Sequence, residues 1–174
     1  AEISEICIDS RLCKPGCLYV AIKGENFDGH TFTASALANG ASAAMINHDV
    51  DAEGVFIRVE DTHKALMRLA HWFRNTFDIP VVGLTGSVGK TTTKEMTWCV
   101  LNEKFNALKT EGNLNNNIGL PRTLMRLDED TEAAVIEMGM SSRGEISELS
   151  LIAEPTAAII SNIGVSHMEN LGSR

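Results

Sequence analysis

The sequence predicts an α/β protein in two parts: a small α/β domain over residues 1–78, then an incomplete phosphate-loop domain with a parallel sheet over 79–174. Three observations carry this. Short runs rich in Val and Ile alternate with stretches of helical periodicity, the pattern of a doubly wound parallel sheet. A glycine-rich loop, Leu84-Thr85-Gly86-Ser87-Val88-Gly89-Lys90-Thr91-Thr92-Thr93, follows one such run and opens a helix. Between the halves stands Thr76-Phe77-Asp78-Ile79-Pro80, where the proline ring biases Ile79 away from helical backbone.

In the first part, Ile6–Ile8 and Leu18–Ile22 read as strands joined through the turn Lys14-Pro15-Gly16. A helix over Thr33–Asn39 is stopped by Gly40, and Ala43–Ile46 and Val55–Val59 are further strands. Asp61 caps a helix whose apolar residues Leu66, Leu69, Ala70, Phe73 and Phe77 fall at helical spacing, with Trp72 packing beside them. In the second part, the apolar run Ile79–Gly83 reads as a short buried strand, the glycine loop follows, and Lys94–Leu101 reads as a helix. Phe105–Leu108 is a short strand, Leu120–Leu127 a helix, Ala133–Glu137 a strand, Glu145–Ala153 a helix closed by Pro155, and Thr156–Ser161 a strand. Three or four strands are fewer than a complete domain of this kind brings, so the chain reads as a fragment.

Composition narrows the function classes. Of 174 residues 44% are hydrophobic and 22% charged, ordinary for a globular protein, and the net charge of −8 argues against a general nucleic-acid or anionic-membrane surface. No apolar stretch approaches a membrane span, and the first residues show no charged leader followed by an apolar run. Cys7, Cys13 and Cys17 lack the paired C-x2-C spacing of zinc sites, so they and Cys99 read as reduced thiols of a cytoplasmic protein.

The chemistry concentrates at strand ends, where open parallel sheets bind ligands. The loop Gly86, Ser87, Val88, Gly89 can turn backbone N–H groups toward phosphate oxygens, with the helix N-terminus and Lys90 adding positive charge. Thr91 stands where phosphate loops ligate Mg²⁺, and Thr92 follows it. The strict pattern wants glycine at position 84, where this chain has Leu84. Glu137 ends an apolar strand, where it is either a charge facing solvent or a carboxylate that can reach a Mg²⁺ on those phosphates, and His167 follows the last strand as either polar surface or a second metal candidate. Gly112-Asn113-Leu114-Asn115-Asn116-Asn117-Ile118-Gly119 is either a turn of residues tolerant of positive φ or an amide-rich binding loop. Asp9-Ser10-Arg11 and Asn26-Phe27-Asp28-Gly29-His30 place Ser10, Arg11, Asp28 and His30 at strand exits, where they are either surface turns or phosphate and base contacts.

Taken in order, Asp9-Ser10-Arg11, Asp28-Gly29-His30, Thr85–Met96, Gly112–Pro121, Glu137-Met138-Gly139, Gly144-Glu145-Ile146 and Asn162–His167 resemble the Mur ligase family of peptidoglycan synthesis over nearly the whole chain. Within it, the Lys94-Glu95-Met96 tail and the asparagine loop point to the ligase that adds D-Ala-D-Ala to UDP-N-acetylmuramoyl-tripeptide. The resemblance implies ATP and Mg²⁺ as cofactors, with Gly86 to Thr92 around the phosphates. Lys90, Glu137 and His167 would be catalytic, and Thr91, Glu137 and His167 would hold metal. Ser10, Arg11, Asp28, His30, Asn113, Asn115 and Asn116 would hold the UDP-sugar. It also implies a third domain and a carbamylated lysine that have no counterpart in this sequence, so these residues alone are expected to lack turnover. The competing expectations are a non-catalytic UDP-sugar or nucleotide module, and another amide ligase of the superfamily such as folylpolyglutamate or cyanophycin synthetase.

Overall fold

The computed structural model describes residues 3–24 and 26–172, which divide into two compact units, 1–66 and 67–174. Unit one holds four parallel strands in the order of the chain: β1 (Glu5–Cys7), β2 (Cys17–Val20), β3 (Ala43–Ile46) and β4 (Phe56–Arg58). Single 3-10 turns at Ser10–Leu12 and Gly29–Phe32, and α1 (Thr33–Ala38), connect them. β2 and β3 are buried at every position, so both read as continuous apolar runs and not as alternating ones. Their side chains close a core with Cys7, Cys13, Cys17, Tyr19, Ala36, Ala44 and Ile46. Burial pushes the Tyr19 phenol up to about 12, and its hydroxyl donates to the Gly29 carbonyl at 2.8 Å.

The three clustered cysteines are free and buried. Burial, then the neighbouring Cys7 and Cys17 thiols, push the Cys13 thiol up. Buried thiols of this kind pack as small apolar groups.

α2 (Thr62–Arg74) crosses from the first unit into the second. Asp61 Oδ1 accepts from the Lys64 N–H at 2.9 Å, the cap expected from sequence. Met67, Ala70, Phe73 and Phe77 join the core of unit two, whereas Trp72 is 64% exposed and does not pack as the sequence suggested. The neighbouring Arg74 is the buried residue. Burial lowers its pKa, and its guanidinium donates to the carbonyls of Ala153 (3.0 Å) and Phe77 (2.8 Å). The first of these lies at the C-terminal end of α5 (Glu145–Ala153), where the helix dipole favours a cation.

Unit two is a second parallel sheet, ordered β6 (Ala107–Lys109), β7 (Ala133–Glu137), β5 (Val81–Thr85), β8 (Ala157–Ile160). α3 (Lys90–Asn102), α4 (Gly119–Leu124), α5 and α6 (Met168–Leu171) complete it. Each strand expected from sequence is present within one or two residues of its expected bounds, but α4 ends at Leu124, earlier than the pattern suggested. β5 lies between β7 and β8, with Leu84 opposite Glu137 and Thr85 opposite Ile160. All four strands run parallel, so the segments leaving β5, β7 and β8 emerge at one edge of the sheet.

Candidate nucleotide and metal site

The glycine loop leaves β5 at that edge. Gly86 has φ +142, and a Cβ there would collide with Ser161 Oγ and come within 3.0 Å of the Asn162 nitrogen. The loop therefore needs a residue with no side chain at 86. Leu84, where the strict pattern asks for glycine, is still inside β5 and 1% exposed, so the turn simply begins two residues later. Gly89 (φ +80) caps α3 with open space around it. Lys90 is the first residue of the helix and donates its Nζ to the Gly86 carbonyl at 2.7 Å. Thr91 and Thr92 are exposed in the same first turn, and Val88 is 63% exposed at the tip of the loop.

The segment after β8 braces this loop. The Ser87 N–H donates to the Asn162 carbonyl (3.1 Å), the Val88 N–H to Asn162 Oδ1 (2.9 Å), and the Gly164 N–H to Ser87 Oγ (2.8 Å). Sequence reasoning placed Asn162 at a strand end but missed this role. Its signal was the Asn-Ile-Gly that leaves a strand neighbouring the loop.

Glu137 closes β7 with its side chain 2% exposed. Its N–H donates to Thr110 Oγ1 (2.9 Å), and its Oε1 accepts from Asn115 Nδ2 (2.8 Å). Among the described residues its Oε2 is buried with no hydrogen-bond partner, and Lys94 Nζ stands 3.8 Å from it. Lys94 is itself 1% exposed and also faces Glu95 Oε1 at 3.3 Å, while Glu95 pairs on its other side with Lys109. Lys109 first, then Lys94, hold the Glu95 carboxyl below its ordinary value. Lys109 sits 3.6 Å over the Trp98 ring. Lys94 and Thr110 were not singled out as site residues from sequence. Lys94 lies one helical turn beyond Lys90, which was the available clue.

His167 has φ +55, a half-exposed side chain, and Glu169 Oε1 at 3.9 Å from its Nδ1. It stands on the segment after β8, at the same sheet edge as the loop and Glu137. In the asparagine loop, Asn116 Oδ1 accepts from the N–H groups of Ile118 (3.2 Å) and Gly119 (2.8 Å), so it caps the start of α4. Asn113 is exposed, and its carbonyl accepts from the Asn115 N–H at 2.8 Å.

The sites expected in unit one sit apart in character. Asp9 caps the first 3-10 turn through the Arg11 N–H (3.0 Å) and pairs with the Arg11 guanidinium at 2.6 Å in solvent; Ser10 is buried beneath it. Asp28 caps the second turn through the His30 N–H (3.0 Å), and that bond, ahead of the His30 ring, holds its carboxyl below the ordinary carboxylate value. His30 is 4% exposed. Its Nε2 lies 3.1 Å from the Asn47 N–H and accepts from it, which puts the ring proton on Nδ1, 2.6 Å from Asp28 Oδ1. Asp28, His30 and His48 bring their ligand atoms within 4.8 Å of one another. A metal on Nδ1 of His30 would drive the proton onto Nε2, against the Asn47 N–H, so this trio is a hydrogen-bonded structural unit.

Residues 84–174 match the Mur ligase middle domain, and residues 2–74 match the Mur ligase family, catalytic domain. The chain belongs to the Mur ligase family. Among its Mur ligase relatives are the UDP-N-acetylmuramoyl-tripeptide–D-alanyl-D-alanine ligases of Synechocystis sp. (45% identical) and Escherichia coli (43%), aligned over 99% and 98% of this chain. The chain spans 38% of the length of each of these relatives. Its fold superposes on a crystal structure of MurF from Acinetobacter baumannii with a TM-score of 0.94 at 41% identity, covering 97% of this chain and 38% of that one. MurF ligase from Thermotoga maritima, crystallised in complex with ADP, superposes at 0.87 with 37% identity, covering 94% of this chain and 38% of that one.

Proposed function

We propose that this chain is the UDP-sugar-binding part and the nucleotide-binding part of a cytoplasmic ATP-dependent ligase that joins D-Ala-D-Ala to UDP-N-acetylmuramoyl-tripeptide in peptidoglycan synthesis. The domain border is put at residues 78 and 79. The observation that carries the reading is the glycine loop at the end of β5 opposite Glu137 at the end of β7, on a family scaffold whose named relatives do this reaction. The loop amides of Gly86 to Gly89 and the N-terminus of α3 would cradle the phosphates of ATP, with Lys90 turning from the Gly86 carbonyl onto them. In the first step the tripeptide carboxylate attacks the γ-phosphorus, giving an acyl phosphate and ADP. In the second the D-Ala-D-Ala amine attacks the acyl carbon, forming the amide and releasing phosphate. Both steps gather negative charge, and Lys90 and the loop N–H groups are placed to stabilise it.

The donor set fits Mg²⁺. Glu137 Oε2 is a hard oxygen, buried and without a hydrogen-bond partner, as a ligand awaiting a cation should be. Thr91 and Glu137 would hold the ion, with His167 as the further metal-site residue the family implies. Bound there, Mg²⁺ supplies charge neutralisation to the phosphate oxygens. Ser10, Arg11, Asp28, His30 and the asparagine loop residues Asn113, Asn115 and Asn116 remain the proposed contacts for the UDP-sugar. Of these, Arg11 (on its Asp9 ion pair) and Asn113 are exposed, whereas Ser10 and His30 are buried and Asp28, Asn115 and Asn116 are engaged in caps and hydrogen bonds. Among the described residues no helix is long and apolar enough to cross a membrane.

Phosphate release by the complete protein tests the reading. It should require ATP, UDP-N-acetylmuramoyl-tripeptide and D-Ala-D-Ala together; release with ATP and a different amine acceptor, and none with this pair, would overturn it.

A further inference from the structure

Glu137 presents its two oxygens to different surroundings, and that asymmetry has a visible cause. Oε1 is fastened by Asn115 Nδ2 at 2.8 Å. A carboxylate only accepts, so the amide must turn its nitrogen toward it. On the other side, Lys94 Nζ stands 3.8 Å from Oε2, near enough to balance the charge and too far to take a lone pair. Were Oε1 not held, the carboxylate would be free to turn toward the ammonium.

The hold is built into the backbone. The Gly139 N–H donates to the Asn115 carbonyl at 2.7 Å, and the Asn115 N–H donates to the Asn113 carbonyl at 2.8 Å. The Asn115 side chain lies flat over Gly139, where a Cβ would come within 2.9 Å of Oδ1. Gly139 is therefore the floor that lets the amide reach Glu137. We propose that Asn115 is a positioning residue for the metal site: its amide fixes Oε1 of Glu137 and leaves Oε2 directed toward a divalent cation beside the phosphate loop. The donor is neutral, so it sets direction without adding positive charge next to the ion. This inference rests on Glu137 being a metal ligand, and it gives Asn115 a task separate from sugar binding.

The experiment uses the complete protein saturated with ADP and Mn²⁺ as the probe, with free Mn²⁺ followed by electron paramagnetic resonance. Asn115→Leu keeps the main-chain bonds of the loop and removes the donor. Gly139→Ala keeps the donor and lifts it off its floor. Both variants should raise the Mn²⁺ dissociation constant by about 10- to 100-fold, the usual consequence of losing a partner behind a metal ligand. ADP affinity without metal should stay at the wild-type value. Unchanged Mn²⁺ affinity in both variants, or a lowered melting temperature with unchanged Mn²⁺ affinity, overturns the inference. A wild-type protein that binds ADP but no Mn²⁺ overturns the metal reading of Glu137 itself, and the inference falls with it.

Discussion

Lys90 and Gly29 show how differently single residues act in this chain. Lys90 holds its ammonium on a carbonyl of its own loop, 2.7 Å from Gly86 O, from which it would turn onto the phosphates proposed for that loop. Lys90→Ala removes a full positive charge from developing anionic oxygens, and turnover of the complete protein should fall by about 10²- to 10³-fold. Steady-state phosphate release checks it, and a variant within threefold of wild type would remove Lys90 from the phosphate site. Gly29 acts through space alone: a Cβ there would lie 2.6 Å from the Ile22 carbonyl and 2.8 Å from its nitrogen. Gly29→Ala should cost about 1–3 kcal/mol by forcing the backbone apart, measured by denaturant unfolding of the chain. Gly29 was quoted in a motif but its reason was invisible, because the constraint comes from Ile22, seven residues away and in contact only once the turn has formed. Gly86 was legible as one of the glycines of the loop, but the reason it must be glycine lies in Ser161 and Asn162, which only the fold brings against it. His30 was legible as a polar residue at a strand exit. Its burial was not, because that depends on Asn47 arriving from β3.

At the scale of elements, patterns with a local cause could be read and those with a distant cause could not. The cap of α2 is local: Asp61 and the Lys64 N–H are three residues apart. That hydrogen bond, the largest of its influences, holds the Asp61 carboxyl below the ordinary value of 3.8. A folded pKa lower than the unfolded one contributes stability that is complete above the unfolded value and lost as pH falls through the folded one. Asp61→Ala should therefore cost about 1 kcal/mol at neutral pH, and less in acid. Asp61→Asn keeps a capping oxygen and loses this share of the pH slope. Melting temperatures of the three proteins between neutral pH and strong acid check both statements; parallel curves would show that Asp61 carries no linked proton. The asparagine loop had its cause elsewhere. Sequence left it as a turn or a binding loop, and its residues divide the work: Asn116 caps α4, while Asn115 reaches across to a strand 22 residues on. Strand order is of the same kind. The alternation of strands and helices announces a parallel sheet, but nothing in β5 alone says that β7 and β8 flank it.

At the scale of the whole molecule, the described residues form two cores with no residue in common, one around Tyr19 and Ala44, the other around Leu120, Leu124 and Ile136. Each is closed by its own sheet, and α2 runs from one compact unit into the other. The chain also carries its own reporters, because its one tyrosine, Tyr19, lies in the first core while Trp98 lies on α3 in the second unit. Leu124 is fully buried, so Leu124→Ala should cost the second unit about 2–5 kcal/mol through lost burial and the cavity left behind. For a chain of this size each kcal/mol lowers a melting midpoint by roughly 2–4 °C. The fluorescence transition of Trp72 and Trp98, both in the second unit, should therefore shift down by several degrees while the Tyr19 absorbance transition stays at its wild-type midpoint. Separate shifts follow from separate cores, because removing contacts in one leaves every apolar contact of the other intact. A common shift of both signals would instead mean that the continuous α2, held at its start by Thr62 on the Ala21 carbonyl and at its end by Arg74 on the Ala153 carbonyl, transmits unfolding from one core to the other.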